Sequence, residues 1–257
     1  MSRAPRPLLD VADAVRGRLA EGAPALVALD FDGTLTEIVD DPAAPRLTPE
    51  RRRILERVAT PARRLAIVSG RALADLRPRV GIDAAFYVGN HGLEIEGPGL
   101  PPDESETSAV ATRLGVLLAG LELPPGAVLE DKRLTATVHA RPRGDSALLA
   151  RIGHGLRSPV EAAGFCLRPG KASWEIRPAN ARDKGDALRA LIDRVPGARA
   201  RTTLYAGDDV TDEDAFRALE TGITVRVGDD EPPGTAARYR LRSPSETYCF
   251  LEILAAD

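Results

Sequence analysis

Short apolar runs alternate with amphipathic stretches along the first part of the chain. Leu8, Leu9, Val11, Val15 and Leu19 recur near helical spacing and predict a helix over 8–21. Residues 25–29 read as a buried strand, 49–59 as a helix and LAIV at 65–68 as a second strand, with another helix starting near Ala72. A third apolar run, AFYV, spans 85–88. Strands alternating with helices in this way make βαβ units and a parallel sheet.

After GLEIEGPGLPP the pattern changes. Residues 104–121 read as a helix, followed by strands at 127–131 and 134–141 and a helix over 145–157. A last strand pair, 164–168 and 172–177, turns at Pro169-Gly170. Helix, hairpin, helix, hairpin describes an antiparallel α+β module. The βα alternation then resumes, with a helix from Lys184, a strand at 202–206, a helix from Asp212 and a strand at 223–227. The expected organisation is a discontinuous core, 1–96 and 179–257, carrying an inserted domain at 97–178. No internal repeat or low-complexity tract interrupts it.

Composition narrows the function classes. Of 257 residues, 43% are hydrophobic and 28% charged, enough apolar material for a real core. The formal net charge of -3 lacks the basic excess of a nucleic-acid footprint. No apolar run approaches the roughly 20 residues that span a bilayer, and MSRAPRPLLD lacks the apolar core of a signal peptide. Cys166 and Cys249 stand far apart, indicating neither a disulfide framework nor zinc. A cytoplasmic protein with no nucleic-acid or membrane partner is the expectation. Only three of 35 basic residues are lysines: Lys132, Lys171 and Lys184. A coding bias towards arginine should spare lysine mainly where a guanidinium cannot replace it.

In an open parallel sheet, ligands bind beyond the carboxyl ends of the strands. Asp30 and Asp32 end the first strand, Ser69-Gly70-Arg71 the second, and Gly207-Asp208-Asp209 follows strand 202–206. Each has a structural alternative. Asp30-Phe-Asp32-Gly33 suits a turn, although an EF-hand would need glycine where Leu35 stands. Ser69 suits a helix cap. Asp212, Glu213 and Asp214 suit the first turn of a helix capped by Thr211. Asp208 and Asp209 precede that cap, so the dipole explains them poorly. Lys184 has the wrong sign for a helix N-terminus, a conflict that a bound anion resolves. Together these places gather carboxylates, a lysine and a hydroxyl-bearing loop. Clustered carboxylates call for a hard cation such as Mg²⁺, which favours oxygen ligands and phosphate. A carboxylate can also attack phosphorus, and a neighbouring acid/base can help water to hydrolyse the product.

DFDGT, SGR, a lysine opening a helix and GDDVTDED, in that order, resemble the haloacid dehalogenase (HAD) phosphatase superfamily. LDFDGTL-x3-VDDP, IVSGR, GNHGLE, HARP, GK-x3-EIRP and YAGDDVTDEDAF are similar to the trehalose-6-phosphate phosphatases in particular. The resemblance spans nearly the whole chain. It implies an α/β fold: a HAD-type Rossmann-like core with a parallel sheet plus an inserted α+β cap domain. It further implies Asp30 as nucleophile, Asp32 as general acid/base, and Ser69 and Lys184 on the phosphoryl oxygens. Mg²⁺ would be held by Asp30, Asp208 and the Asp32 carbonyl. The implied reaction converts trehalose 6-phosphate to trehalose and phosphate through an aspartyl-phosphate. A monomer with a functional link to a trehalose-phosphate synthase is the expectation.

Substrate choice falls to the insert. Strand 134–141 sets Leu134, Ala136, Val138 and Ala140 on one face and Thr135, Thr137, His139 and Arg141 on the other. Strand 171–177 alternates likewise, with Ala172, Trp174 and Ile176 against Lys171, Ser173, Glu175 and Arg177. The polar face either meets water or lines a cleft, and the spared lysines favour the cleft. The resemblance places Glu130, Lys132, His139, Arg141, Lys171 and Glu175 on sugar hydroxyls, with Gly70, Arg71, Asn90 and His91 as further substrate contacts. His91 could equally be a hydrogen-bonded structural residue, and His154 falls off its helix's apolar stripe and should be exposed. Ala140 departs from the family, which often has an aromatic residue there. Two alternatives stand beside this reading: a phosphatase for another sugar or pseudo-disaccharide phosphate, such as glucosylglycerol phosphate, and a non-catalytic sugar-phosphate sensor.

Overall fold

A computed structural model describes residues 4–21, 24–39, 41, 43–101, 104–142, 144–170, 172–229 and 234–256. In chain order the elements are β1 (Arg6–Pro7), α1 (Ala12–Ala20), β2 (Ala25–Asp30), α2 (Pro49–Val58), β3 (Arg63–Val68), α3 (Leu73–Val80), β4 (Phe86–Gly89) and β5 (Glu94–Glu96). Then follow α4 (Glu104–Ala119), β6 (Ala127–Asp131), β7 (Ala136–Ala140), α5 (Ser146–Ala162), β8 (Phe165–Gly170) and β9 (Ser173–Pro178). The chain finishes with α6 (Lys184–Arg194), β10 (Thr203–Gly207), α7 (Asp212–Ala218), β11 (Ile223–Val227), β12 (Tyr239–Leu241) and α8 (Pro244–Ala255). It divides into two compact units, Met1–Pro102 with Arg182–Asp257, and Asp103–Ala181.

The first unit is built on a sheet ordered β1-β12-β11-β10-β2-β3-β4-β5, parallel throughout except for the last pair. All six residues of β2 are buried, as expected of a parallel strand covered on both faces. The pleat sends Ala25, Val27 and Leu29 to one side, against a cluster that includes Leu19, Leu55, Phe250 and Leu254. Leu26 and Ala28 go to the other, against Leu188, Leu191, Phe216 and Leu219. Helix starts are capped locally. Thr48 accepts from Arg51 N at 3.3 Å, Asp183 and Asp186 form a capping box, and Ser243 accepts from Glu246 N at 3.3 Å. Among the described residues no helix is long and apolar enough to cross a membrane.

The second unit is an antiparallel sheet, β6-β7-β9-β8, with α4 and α5. Leu134, Ala136, Val138, Ala140 and Ile176 are buried, as are Leu148, Ile152, Leu156 and Val160 on α5. Trp174 Nε1 donates to the Leu149 carbonyl at 2.8 Å, and a Cβ on Gly153 would lie 2.5 Å from the Trp174 ring. Glycine is what lets α5 settle on the indole. Ala140 belongs to this apolar face.

Two local expectations need correction. Pro169 and Gly170 do not turn the chain: β8 runs through both, paired with Trp174 and Ser173. Proline is tolerated there because β8 is an edge strand. Helix α5 runs past residue 157 and through Pro159 to Ala162. The buried Leu156 and Val160 continue its apolar stripe and offset the one hydrogen bond that proline removes.

Candidate active site

Strands β2 and β10 are sheet neighbours, and the chain leaves them towards opposite edges of the sheet. Their carboxyl ends therefore form the topological switch point where α/β sheets bind ligands. Asp30 is the last residue of β2, and Asp208 follows the last residue of β10. Gly33 has φ 86°, and a Cβ there would overlap the Asp208 carboxylate, so glycine permits the close approach of the two loops.

Lys184, the first residue of α6, is buried and donates to Asp30 Oδ1 at 2.7 Å and to Asp212 Oδ1 at 2.6 Å. The misfit of a cation at a helix N-terminus is thus met within the chain, by these two carboxylates. Asp212 itself overturns a reading made from sequence. Thr211 makes no side-chain cap, and Asp212 is fully buried rather than a solvated companion of the helix dipole. Its Oδ1 also accepts from the Tyr205 hydroxyl at 2.6 Å, and its Oδ2 from Asp209 N at 2.8 Å.

One oxygen each from Asp30, Asp208 and Asp212 lies within 4.8 Å of the others. Lys184 is hydrogen-bonded to two of these carboxylates, and crowding shows in the protonation of Asp30 and Asp208. Burial holds the Asp30 carboxyl well above the usual carboxylate range; Lys184 opposes the shift while Asp212 and Asp208 add to it. Burial, then Asp212, pushes Asp208 up to about 7. Burial alone would lower Lys184, but Asp212 and Asp30 overcome it and hold the ammonium charged. An all-oxygen donor set with excess negative charge fits a hard divalent cation such as Mg²⁺. The Asp32 carboxylate is not in this set. It is gripped at two points by Arg71, Nε to Oδ2 at 2.7 Å and Nη2 to Oδ1 at 2.8 Å.

Of the other candidates, Ser69, Gly70, Asn90 and His91 belong to the first unit and the remaining ones to the second. Ser69 is buried, and its hydroxyl accepts from Arg71 N at 3.1 Å; it does not cap α3, whose first amide, Leu73 N, is taken by Glu94 at 3.0 Å. Asn90, expected on substrate, is completely buried and donates its amide to Glu94 at 2.7 Å. It is a support. Asn90 and His91 both adopt left-handed backbone, φ 47° and 56°, which turns His91 onto Gly70: a Cβ there would lie 2.5 Å from the imidazole. In the second unit, strand register puts Glu130, Thr137, Glu175 and Arg168 in one row across the polar face, with His139 Nε2 2.9 Å from Glu130 Oε2. Thr135 and Thr137 are buried and Lys132 half-buried, while Arg141 and His154 are exposed. Lys171 lies outside the described residues.

Asp212→Asn is expected to lower turnover by about 100-fold, because it unseats Lys184 and relaxes the carboxylate cluster. Steady-state phosphate release alongside a thermal melt checks this. Turnover within a factor of about 3 of the unaltered chain would show that Asp212 is only a fold residue.

Comparison with known proteins agrees with this geometry. Residues 28–245 match the trehalose-phosphatase family. The chain is 38% identical over 246 residues to a trehalose-phosphate phosphatase of Mycobacterium avium, covering 89% of this chain and 61% of that relative's length. Among solved structures it resembles the C-terminal domain of the Candida albicans trehalose-6-phosphate phosphatase, with TM-score 0.73, 26% identity and 99% of both chains covered. The Aspergillus fumigatus trehalose-6-phosphate phosphatase matches with TM-score 0.67 and 28% identity, over 97% of this chain and 98% of that one. A haloacid dehalogenase-like hydrolase from Bacteroides thetaiotaomicron shares the fold at TM-score 0.59. The HAD-type parallel sheet, the buried carboxylates at its switch point and the family match over residues 28–245 lead to one assignment: the chain belongs to the trehalose-phosphatase family.

Proposed function

We propose that the chain hydrolyses trehalose 6-phosphate to trehalose and inorganic phosphate with the help of Mg²⁺. The observation that carries this is Asp30: a buried carboxylate at the switch point, held by Lys184 and flanked by Asp208 and Asp212. Asp30, Asp208 and Asp212 would hold the cation, with the Asp32 carbonyl as a further oxygen donor. Its contribution is to neutralise this cluster and the charge on phosphate. An oxygen of Asp30 attacks phosphorus while Asp32 gives its proton to the leaving sugar oxygen. Water then attacks the aspartyl-phosphate, Asp32 takes the proton, and the Asp30 carboxylate is restored. Lys184 and Ser69 hold the phosphoryl oxygens. His91, packed on Gly70, stands beside Ser69 at the end of β3.

These groups act on phosphate and cannot tell one ester from another. The polar face of the β6-β7-β9-β8 sheet supplies the discrimination, through Glu130, Lys132, His139, Arg141 and Glu175. A site built to hydrogen-bond hydroxyls rejects partners that leave its polar groups unpaired. Glu175→Gln should lower kcat/KM for trehalose 6-phosphate about 10-fold or more, the scale of one charge-assisted hydrogen bond. Hydrolysis of p-nitrophenyl phosphate should barely change. Equal losses on both substrates would assign Glu175 to the fold or to the chemistry.

Phosphate release across a panel of esters tests the function directly. Trehalose 6-phosphate should be the preferred substrate over glucose 6-phosphate, glucosylglycerol phosphate and p-nitrophenyl phosphate. A higher kcat/KM for another sugar phosphate would move the assignment to that sugar. No release from any ester, with Mg²⁺ present, would leave a sugar-phosphate sensor.

A further inference from the structure

Arg71 was expected on substrate, but its guanidinium is committed elsewhere. Beyond its two bonds to Asp32, Nη1 donates to Asp75 Oδ2 at 2.9 Å. The other oxygen of Asp75 accepts from Arg79 Nε at 2.9 Å and Nη2 at 2.6 Å. Arg79 is buried and donates through Nη1 to the Ala43 carbonyl at 2.7 Å and the Pro45 carbonyl at 2.9 Å. The result is one chain of alternating charge: Asp32, Arg71, Asp75, Arg79, then backbone.

Its parts come from rigid places. Asp75 and Arg79 stand four residues apart on α3, the spacing that puts side chains on one helix face. Arg71 sits in the short loop between β3 and α3, with its guanidinium carbon 5.8 Å from the centre of the buried Phe31 ring. A fork that meets a carboxylate with two parallel bonds fixes orientation as well as charge, which a lysine would not do. The bonds to Asp75 fix the fork in turn.

We propose that Arg71, braced by Asp75 and Arg79, is the positioning residue of the general acid/base, setting the direction in which Asp32 presents its carboxyl to the reacting phosphate. This rests on the reading of Asp32 as the acid/base. In the first half-reaction the Asp30–phosphorus bond forms, the ester oxygen leaves, and Asp32 supplies its proton. In the second, water attacks, its proton passes to Asp32, and the Asp30–phosphorus bond breaks. A misdirected Asp32 slows both halves for a sugar phosphate. For p-nitrophenyl phosphate the leaving nitrophenolate needs no proton, so only the second half suffers. A displacement of about 1 Å in a catalytic group can cost on the order of 100-fold.

The test is rapid-quench kinetics on Arg71→Lys and Asp75→Asn with both esters, in Mg²⁺. Arg71→Lys should lower kcat for trehalose 6-phosphate about 100-fold with KM within about 3-fold, and Asp75→Asn about 10-fold. With p-nitrophenyl phosphate, both variants should show a burst of nitrophenol followed by slow phosphate release. A raised KM at unchanged kcat would make Arg71 a substrate clamp and overturn the proposal. So would loss of the burst together with release, which marks damage to the phosphoryl site. Asp32→Asn, run in parallel, separates the two failures. Fast release by that variant would remove the acid/base reading itself. Slow release by it, beside normal release in Arg71→Lys and Asp75→Asn, would remove only the positioning role.

Discussion

Asp30→Asn is expected to lower phosphate release by a factor on the order of 10,000 or more while the protein stays folded. The amide has the shape of the carboxylate and lacks its nucleophilic oxygen. Folding should survive because Lys184 keeps its second partner, Asp212, at 2.6 Å. The substitution also removes a carboxylate from the cluster, so the ground state loses repulsion, while the amide oxygen can still accept from Lys184 without the charge attraction. A far-ultraviolet circular dichroism spectrum like that of the unaltered chain, with no turnover, is the expected pair of observations. A folded Asp30→Asn protein that still released phosphate at an appreciable rate would remove Asp30 from the nucleophile's role.

Stripping divalent metal is expected to cost at least about 1,000-fold in turnover, with recovery on adding Mg²⁺. Three carboxylates around one ammonium need further positive charge before a phosphate can join them. The metal should also compete with protons. Burial, and then Asp212, pushes Asp208 up to about 7, so below that pH the metal-free site holds a proton that the cation must displace. Apparent Mg²⁺ affinity should therefore fall as pH drops through about 7, by up to about 10-fold per unit. Titration calorimetry at several pH values reads this directly. Full activity after exhaustive chelation would count against the site, and an affinity indifferent to pH would remove Asp208 from the ligands.

What could be seen in the sequence was what sits locally in the chain. Asp30 and Asp208 end apolar runs, so the strand and its terminal carboxylate are written side by side. Lys184 was conspicuous for its sign at a helix start. Asp212 carries no such signal, because an acid in a first helical turn has an ordinary explanation. Its burial depends on Tyr205 and on Lys184, 28 residues upstream, and no local pattern reports that. The pairing of Arg71 with Asp32 is hidden for the same reason: the two are 39 residues apart, and only the fold brings them together.

Other gaps had a signal. Helix α8 is announced by Ser243-Pro244, a cap and a first-turn proline, and by the buried Thr247, Phe250, Leu251 and Leu254. Strands β1, β5 and β12 are only two or three residues long, too short for any period to show. Asn90 sits in a string that reads as an exposed turn. Its burial follows from Glu94, which collects both the Asn90 amide and the first amide of α3.

The measurement that bears most directly on the proposed chemistry is acid quenching in the first turnover, followed by mass spectrometry of the digested protein. With trehalose 6-phosphate and Mg²⁺, the peptide containing Asp30 should carry one phosphoryl group that hydroxylamine removes, as expected of an acyl phosphate. With p-nitrophenyl phosphate, whose leaving group needs no proton, Asp32→Asn should increase its yield, because hydrolysis of the intermediate then lacks its base. Phosphate released at the full rate with no phosphoryl group on the Asp30 peptide, or with the group on another residue, would contradict a covalent reaction at Asp30.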